Sequence, residues 1–171
     1  IEMLTHDLGD ERGSNVYRST DQGKSFERIG QVRIPGTRVD EHMIVERGDG
    51  SLWMLLRNTG GIAQSGRTWS DGSLYLQGRT YANKRFFIRR LNSRALLMVR
   101  NNSPDGKRSH MTAFVSDDDG ATWKGGLLLD ERESSYPDGI QAEGGTLFII
   151  YDHQRYTLNR ACLLYTSDAA D

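Results

Sequence analysis

Short apolar runs, each about one strand long, alternate along the chain with clusters of Gly, Asp, Ser and Asn. The runs are SNVYRS (14–19), FERIGQVRI (26–34), EHMIVER (41–47), SLWMLLRN (51–58), KRFFIRRL (84–91), RALLMVRN (94–101), HMTAFVSD (110–117), GGLLLDE (125–131), YPDGIQA (136–142) and GTLFIIYD (145–152). None carries a sustained 3.6-residue period, so each reads as a strand bounded by turn chemistry. Many short strands with turns between them predict an all-β protein: a sandwich, a barrel or a propeller.

An internal repeat narrows that choice. STDQGKSF (Ser19 to Phe26) and SDDDGATW (Ser116 to Trp123) both fit Ser-x-Asp-x-Gly-x-Ser/Thr-aromatic. IAQSGRTW (Ile62 to Trp69) keeps the second half but has Gln64 where the aspartate belongs. The closing aromatics Phe26, Trp69 and Trp123 lie 43 and then 54 residues apart, a period that suits one four-stranded propeller blade with variable loops. In each box the aspartate can accept hydrogen bonds from its own turn, and the glycine supplies a positive φ. The expected role is therefore a hairpin staple. A calcium loop of the EF-hand kind needs ligands over about twelve residues ending in a bidentate Glu, and only ATWKGG follows Asp117, Asp118 and Asp119.

Composition removes several function classes. The 171 residues are 26% charged with a net charge of −1, so no basic excess points to nucleic acid. No run approaches the ~20 apolar residues of a membrane helix. His6, His42, His110 and His153 show no metal-binding spacing, and no glycine-rich loop opens a helix, so neither a metal nor a cofactor is expected. The only cysteine, Cys162, falls in CLLYTSDAAD (162–171). That decapeptide resembles the translation of a widely used transposon sequencing adapter, so residues 1–161 are expected to be native and 162–171 to be read-through. Ile1 opens without Met or a signal peptide, and an N-terminal portion is expected upstream.

The boxes resemble the Asp-boxes of the sialidase (neuraminidase) superfamily, whose fold is a six-bladed β-propeller. EHMIVERGDGSLWMLLRN, NNSPDGKRSHMTAFVSDDDGATW and SYPDGIQAEGGTLFIIYD resemble, in that order, three successive sialidase blades, over about residues 14 to 155. The resemblance implies that about half of a propeller is present, and that the parent is an exo-acting glycoside hydrolase releasing terminal sialic acid or a related acidic sugar. Its partner would be a sialoglycoconjugate or another acidic glycan, and its location secreted or periplasmic. GGLLLDERESSYPDG and RFFIRRL are closer to a bacterial sialidase-like branch.

The chemistry of such an enzyme needs a cation beside the sugar carboxylate, which arginine supplies bidentately. That carboxylate repels a carboxylate nucleophile, and sialidases use tyrosine instead. A phenol with a pKa of about 10 then needs a neighbouring base. On this resemblance Tyr136 is the candidate nucleophile, Glu41 the candidate base, and Arg57 and Arg108 two of three carboxylate-binding arginines. The third arginine and the acid/base aspartate belong to upstream blades, so the chain alone is expected to be inactive. Pro137 departs from the family's usual serine, which puts the local geometry of Tyr136 in question.

Other readings stay open. Tyr136 also fits an aromatic at a strand start, Glu46 competes with Glu41, and Arg108 shares its neighbourhood with Arg100, Lys107 and His110. Arg89 and Arg90 suit surface pairs. Asp-boxes mark a fold and not an activity, so a non-catalytic glycan- or protein-binding propeller, or an enzyme acting on uronic acids, fits the same motifs.

Overall fold

The computed structural model describes residues 14–32, 41–50, 52–57, 64–68, 75–82, 84–154 and 160–166. Within them the chain is strand and turn, with 13 strands and no helix. It divides into two compact units, Ile1–Asn83 and Lys84–Asp171.

In the first unit, β1 (Ser14–Arg18) and β2 (Glu27–Val32) form an antiparallel hairpin closed by the first Asp-box. The second sheet has the order β3-β4-β6-β5, from β3 (His42–Glu46), β4 (Leu52–Arg57), β5 (Gln64–Thr68) and β6 (Tyr75–Ala82). β3 and β4 are antiparallel around a turn in which Gly50 donates to the Arg47 carbonyl at 3.0 Å with a φ of 83°. Val45, Trp53, Met54 and Leu55 are buried there. β4 pairs with β6 in parallel, and β5 takes the edge. QSGRT is polar and carries a glycine, a composition that suits a sheet edge.

β5 corrects one expectation. The stretch read as a degenerate third box is an extended strand from Gln64 to Thr68, paired with β6; Ile62, Ala63 and Trp69 lie outside the described residues. Gln64 replaces the aspartate whose carboxylate would gather the turn, and the backbone finds its partners in a ladder instead. β6 was not expected from the sequence either.

The second unit contains a regular antiparallel meander, β10-β9-β8-β7, from β7 (Phe87–Arg90), β8 (Leu96–Asn101), β9 (Met111–Ser116) and β10 (Lys124–Asp130). A four-stranded meander is the unit from which a propeller blade is made. β8 is buried on both faces through Leu96, Leu97, Met98 and Val99, which is why RALLMV is a continuous apolar run without alternation. A second sheet joins β11 (Ser134–Gln141), β12 (Leu147–His153) and β13 (Arg160–Thr166), all antiparallel. β13 takes in Cys162 to Thr166 of the segment expected to be read-through. Its apolar Leu163-Leu164-Tyr165 core suits a ladder whatever its origin.

β11 packs on β7 and β8, and Gly139 permits the close approach. A Cβ there would lie 2.6 Å from the Phe148 carbonyl oxygen, 2.8 Å from Ile149 Cδ1 and 3.4 Å from a ring carbon of Phe87. The all-β class and the blade-like meander are those expected of part of a propeller. The count of six blades in the intact protein rests on the resemblance.

Candidate functional site

The serine, central aspartate and threonine of the second Asp-box spend their polar groups within the turn. Asp118 accepts from Ser116 Oγ at 2.7 Å, from the Thr122 amide at 2.8 Å and from Thr122 Oγ1 at 2.5 Å, while the Gly120 amide donates to Ser116 Oγ at 2.8 Å. Asp119 and Gly120 both have positive φ, 55° and 85°. The hydroxyl of Thr122, then its amide, then Ser116 hold the Asp118 carboxyl down from the ordinary 3.8 to about 2. The middle aspartate is thus a turn staple. Asp117 and Asp119 pair instead with Lys124, at 3.0 Å, and with Arg90.

Tyr136 lies where β11 departs from its ladder. Ser135 faces Asp152 and Asp138 faces Ile150, so Tyr136 and Pro137 together oppose the single residue Tyr151. This is a β-bulge, a device that re-aims side chains. Tyr136 has a φ of 54°, in a region unfavourable for an aromatic residue and further disfavoured before proline. Such a conformation costs about 1–3 kcal/mol and persists only where its surroundings hold it. They do so here: Pro137, Ser134 and Ser135 are buried, and the Arg108 guanidinium carbon sits 5.3 Å from the centroid of the Tyr136 ring.

Arg108 comes from the loop between β8 and β9. Its carbonyl accepts from the Ser134 amide at 2.8 Å, which ties the loop to the start of β11. The structure separates Arg108 from its competitors. Lys107 is exposed and bridges to Asp105 at 2.8 Å. Arg100 lies 4.8 Å over the Phe114 ring and donates to the Asn101 carbonyl at 3.1 Å. His110 takes a φ of 56° and its carbonyl accepts from Asn102 and Thr112. Arg108 Nη1, by contrast, is buried with no hydrogen-bond partner among the described residues. A guanidinium over the ring face sets a permanent cation beside the phenol.

In the first unit, β3 and β4 pair His42 with Leu56 and Glu46 with Leu52. Glu41, one residue before β3, therefore sits at the hairpin end where β4 finishes at Arg57, and the competitor Glu46 at the opposite end. The Arg57 side chain is outside the described residues. The structure thus brings two candidates together in each unit: Arg108 with Tyr136 by side-chain contact, Glu41 with Arg57 by backbone register. Arg90 pairs with Asp119, as expected of a structural arginine.

Two features were not read from the sequence. Asn101, 7% exposed at the end of β8, donates through Nδ2 to the carbonyls of Ser109 at 3.2 Å and Ser134 at 2.9 Å. Asp130, 8% exposed at the end of β10, accepts from Arg132 Nε and Nη2 at 2.9 and 2.7 Å and from the Tyr151 hydroxyl at 3.2 Å. The Arg132 side chain is the main cause that lowers Asp130 to about 2. An Asp-x-Arg spacing is the only trace of that cluster in the sequence. Among the described residues, no group of three or more His, Cys, Asp or Glu side chains is placed to hold a metal, and no helix is long and apolar enough to cross a membrane.

Blade-like antiparallel sheets, two Asp-box turns and an arginine-capped tyrosine on a bulge define an Asp-box repeat protein of the propeller class. The model of the BNR repeat-like domain family matches residues 4–149, and the chain belongs to that family. A search of curated proteins finds no match.

Proposed function

We propose that the protein is a sialidase-like exo-glycoside hydrolase that releases sialic acid or a related acidic sugar with retention. The observation that carries this reading is the Arg108–Tyr136 pair: a guanidinium 5.3 Å over a phenol ring, which sets a permanent cation beside the proposed nucleophile. An anomeric carboxylate accepting hydrogen bonds from that guanidinium would lie beside the phenol. In the proposed reaction the phenol loses its proton to a carboxylate base, and its oxygen bonds to the anomeric carbon as the glycosidic C–O bond breaks. The departing oxygen takes a proton from an acid, and water then attacks the anomeric carbon of the aryl glycoside formed with the tyrosine, releasing the sugar and returning the phenol. The resemblance assigns the base to Glu41 and a second carboxylate contact to Arg57, and both roles are part of the proposal.

The test is hydrolysis of a fluorogenic sialoside by the full-length parent and its Tyr136→Phe variant. Turnover should fall by more than about 10³-fold, as when a covalent nucleophile is removed. Undiminished turnover would sink the mechanism. A parent that binds the sialoside without releasing it would be a glycan-binding propeller.

A further inference from the structure

We infer that Asn101 is a positioning residue for the Arg108–Tyr136 pair, an inference that deepens the proposed function and rests on that site. Its side chain lies between the two segments that carry the pair. One Nδ2 proton reaches the Ser109 carbonyl, immediately after Arg108, at 3.2 Å; the other reaches the Ser134 carbonyl, two residues before Tyr136, at 2.9 Å. The Ser134 amide also donates to the Arg108 carbonyl at 2.8 Å, so β11 and the β8–β9 loop are laced at adjacent peptide groups. With two carbonyl partners, the nitrogen end of the amide must face them.

The opposite end of the amide contributes no such bond. Oδ1 is buried with no hydrogen-bond partner among the described residues, which carries a desolvation cost that an apolar residue would avoid. What Asn101 contributes is its two donors. Those donors hold in place a tyrosine whose positive φ ahead of a proline would otherwise relax, carrying the ring away from Arg108.

The test reads geometry and needs no turnover. NMR of the chain should show Arg108 side-chain protons displaced upfield by the Tyr136 ring, and Arg100 protons displaced by the Phe114 ring, an internal control in the same sheet. In Asn101→Leu the Arg108 displacement should be lost and that of Arg100 kept. Retention of both would overturn the inference, and loss of both would reduce Asn101 to a general structural role and overturn it equally. If the leucine variant does not fold, Asn101→Ser, which keeps one donor, should show a reduced Arg108 displacement; an unchanged one would overturn the inference. An inactive parent with the expected spectra would refute the proposed function while leaving the positioning role intact.

Discussion

In the β1–β2 hairpin the Asp-box stands in solvent, whereas in the β9–β10 hairpin the same box is half sunk into the sheet. Their internal bonds match almost atom for atom. Asp21 accepts from Ser19 Oγ at 2.8 Å, the Ser25 amide at 2.9 Å and Ser25 Oγ at 2.6 Å, and the Gly23 amide donates to Ser19 Oγ at 2.8 Å. Gln22 and Gly23 have φ values of 62° and 87°, as Asp119 and Gly120 do in the second copy. The surroundings differ. Ser116 is 1% exposed and Gly120 buried, while Gly23 is exposed and Phe26 remains 46% exposed. The residue before the glycine is Gln22 in one box and Asp119, paired with Arg90 of β7, in the other. Eight residues are enough to make the turn, and they leave open how far it is built into its sheet.

The largest contrast should follow from removing the serine. Ser116→Ala strands a buried Gly120 amide and should cost about 1–3 kcal/mol in urea denaturation. Ser19→Ala exposes the Gly23 amide to water and should cost about 0.5 kcal/mol or less. Equal costs would mean that burial adds nothing to the second box.

A smaller effect isolates the ion pair. Asp119→Asn keeps a residue that tolerates positive φ and loses the charge facing Arg90, for about 0.2–1 kcal/mol. A loss well above that range would show the pair to be part of the blade's core and not a surface tie.

The smallest difference, none, is expected on the pH axis. Hydrogen bonds from Ser25 hold Asp21 at about 2, as those from Thr122 hold Asp118. Both folded values lie below the ordinary 3.8, so each carboxylate adds stability that is full above about 4 and is lost as pH falls towards 2. Carboxyl NMR titrations should show the two aspartates moving together. A separation of a full pH unit would mean that burial, and not the local bonds, governs one of them.

Much of the site was legible in part. The boxes and eight-residue spacing could be read because every bond in them joins residues at most four apart. Glu41 and Arg57 could be nominated from their strands by the resemblance; the β3–β4 register adds that Glu41, and not Glu46, lies at the end where β4 finishes at Arg57. Arg108 was one basic residue of several until Lys107 was seen bridged to Asp105 and Arg100 stacked on Phe114. Asn101 had no signal, since its partners are the carbonyls of Ser109 and Ser134, and backbone acceptors leave no mark on residue choice at their own positions. The failed third box shows the reverse limit: half a motif without its aspartate did not make the turn.

The sequence by itself determined the strand class, the two stapled hairpins and the presence of a tyrosine followed by proline at a strand start. These depend on alternation, local hydrogen bonding and backbone sterics, which act over a few residues. Only the tertiary structure decided that β11 bulges at Tyr136, that Arg108 covers its ring and that Asn101 laces the two segments together. Arg108 and Tyr136 are 28 positions apart and Asn101 and Ser134 are 33 apart, and these contacts exist because β11 packs on β7 and β8.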